Sequence, residues 1–267
     1  MAHILQQILF QSPPSLYLKA TGILTLIGGF NAAYSEVKGT NLTYSKFAKT
    51  IEVKQAKKVS SRNGMLICYG PASVASSAFL LSKLGYIGST GPHLLTLASA
   101  LTIHFLKREL EVLFLHRYSG DMPLQTALLI SFSYFFQTVN LLYAQQLSEG
   151  MRPPGRDLMW VGVVLFCIGI GGNLYHHYLL SKLRKDGKTG YVVPSGGLFD
   201  LVVCPHYLFE IVDWIGLAFI SQTLYSWASV VWTVIYLAGR SYATRQWYLQ
   251  KMENFPKQRK ALFPFIF

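Results

Sequence analysis

The sequence predicts an all-α polytopic membrane protein of about seven transmembrane helices. Three observations carry this. Of the 267 residues, 51% are hydrophobic and only 13% charged, about half the charged share of a soluble domain. The apolar residues gather in runs near the ~20 residues that a bilayer crossing needs. The breaks between runs hold the charge unevenly: of 24 Lys and Arg residues, 20 fall on one side and 4 on the other. That asymmetry places the C-terminus in the cytosol and the N-terminus outside or in a lumen. The net charge of +12 then suits cytosolic loops facing anionic lipid. No basic-aromatic pattern points to nucleic acid. Residues 1–267 read as a single membrane domain without internal repeats.

The elements follow in order. Pro13-Pro14 opens a first span from Leu16 to Tyr34. The N-terminus lacks the basic n-region of a cleaved signal peptide, which predicts that this span is retained. Residues 35–63 form a basic loop with Lys38, Lys46, Lys49, Lys54, Lys57, Lys58 and Arg62. A second span covers Gly64 to Leu84, and Gly85–Gly91 is a turn. The third runs from Pro92 to Arg117, longer than a simple crossing. Its far end sets His104, Arg108 and Glu111 on one face at i, i+4, i+7. Ser119 to Pro123 ends it, and a fourth span covers Leu124 to Leu147. Pro153, Pro154 and Gly155 break the chain before a fifth span, Leu158 to Leu183. A sixth follows Pro205 to Gln222, and a seventh runs from Trp227 to Trp247. The tail from Lys251 to Phe267 is basic, then apolar. Cys68, Cys167 and Cys204 lack metal or disulfide spacing and read as packing residues in a reducing setting.

The stretch from Gly169 to Trp214 organises the rest. Ionisable side chains inside apolar helices are expensive and mark a site by default. The fifth span lines up Asn173, His176, His177 and Arg184; the sixth lines up His206, Glu210 and Asp213, with Tyr207 alongside. A basic hairpin of Arg184, Lys185 and Lys188 lies between them. Polar faces of the third, fifth, sixth and seventh spans are expected to converge near the cytosol, open to an anionic ligand. Plainer explanations stand beside this one. A lone His or Asn in a membrane helix also serves to bond a neighbouring helix. Glu210 and Asp213 could simply pair with Arg240 or Arg245. His176, His177, Glu210 and Asp213 include metal-ligand types, but without HxxxH or HExxH spacing no metal is expected. Gly169-Ile-Gly171-Gly172-Asn173-Leu174 breaks the dinucleotide fingerprint and lies inside a helix, so it reads as helix packing.

The later half, residues 100–267, resembles the steroid 5α-reductase family, which includes the very-long-chain trans-2-enoyl-CoA reductases and polyprenol reductases. The resemblance rests on Gly172-Asn-Leu-Tyr-His176, Leu183-Arg-Lys185, Tyr191-Val-Val-Pro-Ser-Gly-Gly-Leu-Phe199, Cys204-Pro-His-Tyr-Leu-Phe-Glu-Ile-Val-Asp-Trp-Ile-Gly216 and Tyr248 through Phe265. It implies a seven-helix bundle in the endoplasmic reticulum membrane, with NADPH in a cytosol-open pocket. It also implies reduction of a C=C bond conjugated to a carbonyl in a lipid. Carried over, the cofactor positions are Arg108, Asn173, His177, Arg184, Tyr191, His206, Arg240 and Tyr248. His206 stands where the family usually has Asn, and His177 where steroid reductases have Asp. Tyr207, Tyr69 and Glu210 are the candidate catalytic residues. Tyr207 matches the proton donor proposed for the enoyl-CoA branch.

A 3-oxo-Δ4-steroid is the expected substrate, on the strength of Tyr191–Phe199 and the tail. The rival is a very-long-chain trans-2-enoyl-CoA. Tyr69 and Phe105 do not reproduce the Glu and Tyr with which steroid reductases grip the 3-keto oxygen, and Lys107 to Ser119 looks more like the enoyl-CoA branch. The short N-terminus is similar to plant members. From other classes, an isoprenylcysteine-type membrane methyltransferase and a non-catalytic lipid-binding protein remain open.

Overall fold

A computed structural model describes residues 7–40, 42, 44, 47, 57–86, 88–183 and 192–267. Arg184, Lys185, Lys188 and Tyr191 lie outside the described residues.

Among those residues, seven helices of 17 or more residues form an all-α bundle. They are α1 Leu16–Lys38, α2 Ser61–Leu84, α3 Pro92–Leu110, α4 Leu124–Ser148, α5 Met159–Lys182, α6 Pro205–Ser221 and α7 Leu224–Lys251. Three of them, α2, α4 and α5, are long and apolar enough to cross a membrane. Large apolar side chains stand exposed on the outer faces, among them Ile23, Leu24, Ile27 and Phe30 on α1 and Val164 and Ile168 on α5. An outward apolar surface of this extent suits lipid rather than water.

Helix ends are set by caps. The Ser15 side chain accepts from Leu18 N at α1, Ser60 from Asn63 N at α2, and Thr223 from Ser226 N at α7, each satisfying an orphan donor of the first turn. Gly39, at φ +82°, closes α1 one turn later than expected, at Lys38. α7 also exceeds its expected span at both ends.

Two features depart from expectation. The expected third span does not stay α-helical to Arg117: α3 passes at Glu111 into a π-helical turn, Glu111–Leu115. Such turns commonly mark functional sites. Residues 58–60 and 121–123, expected as loop and turn, form a short antiparallel ladder, β1 with β2, pairing Val59 with Met122. Three residues are too few for an alternating pattern to be read. Cys68 and Cys204 are buried as expected, but Cys167 is exposed on the outer face of α5.

The tightest pairings are α5 with α6, α1 with α7 and α2 with α4. On α5 and α6 the contact is backbone to backbone. A Cβ on Gly169 would lie 2.5 Å from Asp213 Cα, and one on Gly162 would lie 2.6 Å from Gly216 O. Backbone cannot rotate away as a side chain can, so Gly169→Val is expected to cost about 3 kcal/mol or more by overpacking. Gly171→Ala, whose Cβ meets nothing within 4 Å, is expected to be neutral or to gain up to ~1 kcal/mol in helix propensity. Thermal unfolding in detergent checks both. Equal effects would reject helix packing as the reason for the glycine cluster.

The tail caps one end of α6. Val203 N donates to Lys260 O (2.9 Å), Cys204 N to Ala261 O (3.1 Å) and Lys260 N to Leu201 O (3.0 Å). Leu262 is fully buried beside Ile211 and Leu237. Arg245 donates to Arg259 O and Lys257 O, and Arg259 to Pro194 O. Arg245 of α7 and Arg259 of the tail thus act as ties to backbone carbonyls.

Candidate active site

α3 builds the centre of the site. Lys107, Arg108 and Glu111 fall one turn apart where the helix enters its π-turn. Lys107 Nζ reaches Glu111 Oε1 at 2.8 Å and Arg108 Nη1 reaches Glu111 Oε2 at 2.7 Å. All three side chains are largely buried. Two cations share this carboxylate, and Glu210 lies within electrostatic range of both, so the charges are close to balanced; what the cluster offers a developing oxyanion is fixed N–H donors in a low-dielectric interior. From α5, His177 closes the cluster: its Nδ1 lies 3.0 Å from Arg108 Nη1 and 3.1 Å from Glu111. In one tautomer that nitrogen accepts from the guanidinium, in the other it donates to the carboxylate.

Arg108 also donates through Nη2 to Tyr69 Oη of α2, at 2.5 Å. Its Nε is buried with no partner among the described residues. The Tyr69 phenol, having accepted from Arg108, keeps its own O–H to give. Tyr69 packs on Tyr134 of α4 (5.5 Å between centroids), and Tyr134 packs on Phe105 (5.6 Å). Glu210 is buried on α6, within electrostatic range of Arg108, Tyr69 and Tyr134. Just outside the helices, burial pushes the Tyr118 phenol up to about 12, with the Arg108 charge opposing the rise. It is therefore a neutral hydrogen-bonding group at physiological pH.

Asn173 ties three helices together. Lys107 Nζ donates to its Oδ1, and its Nδ2 donates to His206 O at 2.8 Å. The His206 ring sits between Tyr207 (4.2 Å) and His177 (5.5 Å). Tyr248 stacks on Phe255 at 5.3 Å and 10°.

The two adjacent histidines have separate jobs. His176 Nδ1 donates to Gly172 O (2.7 Å) and Nε2 accepts from Leu198 N (3.2 Å), which fixes the neutral tautomer. It pins the 3-10 turn Gly197–Asp200 to α5. That turn needs glycine, since Gly196 and Gly197 have φ of +85° and +55°. So His176 holds the turn to α5, while His177 joins the buried Arg108–Glu111 cluster.

The expected partners of the acidic residues on α6 differ. Asp213 pairs with His104 of α3 at 2.5 Å, not with Arg240 or Arg245. Arg240 turns to α1: its Nη1 donates to both Glu36 oxygens at 2.9 Å, and to Leu42 O at 3.3 Å. Its guanidinium lies 4.3 Å from the rings of both Tyr44 and Phe47. The seventh helix thus carries a second buried ion pair, with Tyr207 in electrostatic range of Arg240 and against the His206 ring.

The structure therefore brings together Tyr69, Arg108, Asn173, His177, His206, Tyr207 and Glu210. It sets Tyr248 and Arg240 at the margin. Sequence reasoning overlooked Lys107, Tyr134, Glu36 and Tyr44. Tyr134 carried a signal, since a phenol in an apolar helix needs a partner for its hydroxyl. Glu111, His116 and His177 set ligand atoms within 4.8 Å of one another, but Lys107 and Arg108 already occupy the carboxylate. A metal cation there would face two positive side chains.

Comparison with known proteins agrees with this architecture. The family model described as 3-oxo-5-alpha-steroid 4-dehydrogenase matches residues 122–267. Similar proteins include 3-oxo-5-alpha-steroid 4-dehydrogenase 2 of Macaca fascicularis, 38% identical over 50% of this chain and 52% of its own length. Others are 3-oxo-5-alpha-steroid 4-dehydrogenase 1 of Bos taurus, 35% identical over 66% and 68%, and steroid 5-alpha-reductase DET2 of Gossypium hirsutum, 39% identical over 42% and 45%. The match spans about half the length of the macaque and cotton relatives and about two thirds of the bovine one. With more than half of its residues inside the family model and the motifs of its later helices assembled around one buried cluster, this chain belongs to the 3-oxo-5-alpha-steroid 4-dehydrogenase family.

Proposed function

We propose that the protein is a multi-pass membrane reductase of the endoplasmic reticulum that uses NADPH to saturate a C=C bond conjugated to the 3-oxo group of a steroid. The seven helices would all span, with the C-terminus in the cytosol. The observation that carries the reading is the Arg108–Tyr69 bond. Among the described residues it leaves a phenol O–H and a buried guanidinium N–H without acceptors, beside Tyr134 and Phe105, in a family whose relatives are named for 3-oxo-steroids.

The donor set fits an anionic dinucleotide. Arg108 Nε is a buried donor without a partner among the described residues, and Lys107 adds a second charge. Arg108, Asn173, His177, His206 and Tyr248 would hold the cofactor, with Arg184 and Tyr191 as further proposed contacts. Arg240 would contribute through Leu42, Tyr44 and Phe47, which it contacts. NADPH when bound supplies a hydride; the protein positions and polarises. Tyr69, backed by Arg108, would donate to the carbonyl oxygen as charge develops there, an effect that is large in a dry pocket. Tyr207 would deliver the proton to the α-carbon, and Glu210 would balance the local charge.

A trans-2-enoyl-CoA is the second reading. Phe105, buried where steroid reductases carry Tyr, offers no hydroxyl to a 3-keto group, and that favours it. NADPH consumption by purified protein in nanodiscs, with 3-oxo-Δ4-steroids and with enoyl-CoAs, tests both; no consumption with either class rejects the reductase. Tyr207→Phe is expected to lower turnover by about 10²–10⁴-fold, the usual reach of acid–base catalysis, while NADPH affinity stays within twofold. Near-wild-type turnover would remove Tyr207 as the donor.

A further inference from the structure

One face of α4 runs on from the site into the bundle. Positions 134, 137, 138, 141 and 145 share that face at i, i+3, i+4, i+7, i+11 spacing. Tyr134, at its near end, touches Tyr69 and Phe105. Beyond it Gln137, Thr138 and Gln145 are 2%, 0% and 1% exposed. Their Gln137 Oε1, Thr138 Oγ1 and Gln145 Oε1 atoms meet no hydrogen-bonding partner among the described residues. Thr102 Oγ1, one turn past Phe105 on α3, is in the same position. Other buried hydroxyls in these helices have found backbone: Ser76 bonds Ser73 O and Ser148 bonds Ala144 O. Orphaned polar atoms are expensive in an apolar interior and call for a partner from outside the chain, water or ligand.

We propose that Gln137, Thr138 and Gln145 form a subsite for an oxygen at the end of the substrate remote from its enone. The inference rests on the reductase reading and sharpens it: the substrate is a fused-ring enone with a polar far end, not an acyl chain. At 1.5 Å rise per residue, Thr138 lies about 6 Å and Gln145 about 16 Å beyond Tyr134. A steroid whose carbonyl meets Tyr69 puts the opposite end of its nucleus between them. An enoyl chain would put methylenes there and leave every one of these atoms unpaired. Amide oxygens accept, so a hydroxyl is the better match, and Thr138 can give or take.

Binding, read without turnover, separates this from the reductase reading. The probes are androst-4-en-3-one and its 17β-hydroxy derivative, with purified protein in nanodiscs. The wild type is expected to bind the hydroxylated probe at least about tenfold more tightly, a difference of ~1.4 kcal/mol. In the Gln137→Leu, Thr138→Val double variant that preference is expected to fall to about one, with affinity for the deoxy probe unchanged or improved. Thr138→Val alone, nearly isosteric, is the second variant should the double one not assemble, and is expected to lose at least half the preference. A wild-type preference near one, or one that survives both variants, overturns the subsite. A wild type that binds with the expected preference yet reduces no enone keeps the subsite and rejects the reductase.

Discussion

Replacing Arg108 with methionine is expected to lower kcat/KM for the preferred enone about a thousandfold, roughly 4 kcal/mol of transition-state stabilisation. One guanidinium holds Tyr69, Glu111 and His177 at once. Methionine keeps much of the volume but returns Tyr69 to an unpolarised phenol and removes the charge that faces a developing oxyanion. The variant should still fold. Glu111 keeps Lys107 at 2.8 Å, so Glu111 is not left buried and bare. Arg108→Lys tests the fork: a single ammonium cannot reach three partners in plane, and it should recover no more than about tenfold of the lost thousandfold, ~1.4 kcal/mol. The measurement is kcat and KM for NADPH and enone separately. Loss confined to KM for NADPH would make Arg108 a cofactor anchor only, and turnover near that of the wild type would remove it from the chemistry.

Much of the bundle could be read from hydropathy because each crossing must satisfy its own backbone inside the apolar layer. α2, α4, α5 and α6 begin and end within a few residues of the expected bounds. The ends that moved are those where a cap decides, such as Gly39 and Thr223, since a cap acts through one side chain or one backbone angle rather than through periodicity. The β1–β2 ladder and the π-turn are three and five residues long, shorter than any window in which a period can be counted.

In the site, periodicity correctly grouped residues along one helix but could not say which helix each group faced. His104, Arg108 and Glu111 share a stripe, yet His104 goes to Asp213 while Arg108 and Glu111 go to each other and His177. Adjacent His176 and His177 point to different neighbours, a 100° turn apart on the helix, and only the fold distinguishes glue from function. Glu36 and Arg240 are 204 residues apart; nothing local in either segment announces the other.

That last pair carries the second large effect. Arg240 and Glu36 are 2% exposed, and Arg240 is among the largest fully enclosed side chains. Glu36→Gln is expected to destabilise the protein by about 3–5 kcal/mol because it strands a buried guanidinium, and so to lower the melting temperature by on the order of 10 °C. Replacing both, as Glu36→Leu with Arg240→Met, is expected to recover most of that loss, since a well-packed apolar pair of similar volume removes both desolvation costs. The double-mutant cycle in detergent thus gives a large positive coupling. Cofactor affinity separates two roles for Arg240. If it works by gripping Leu42 O, Tyr44 and Phe47, the double variant folds but binds NADPH weakly, because those three residues are no longer held. Glu36→Gln, which leaves the guanidinium on the Tyr44 and Phe47 rings, then loses less. If Arg240 instead meets the dinucleotide directly, freeing it from Glu36 should strengthen NADPH binding in Glu36→Gln, and a tighter Kd in that variant would reassign Arg240 from the roof of the pocket to its lining.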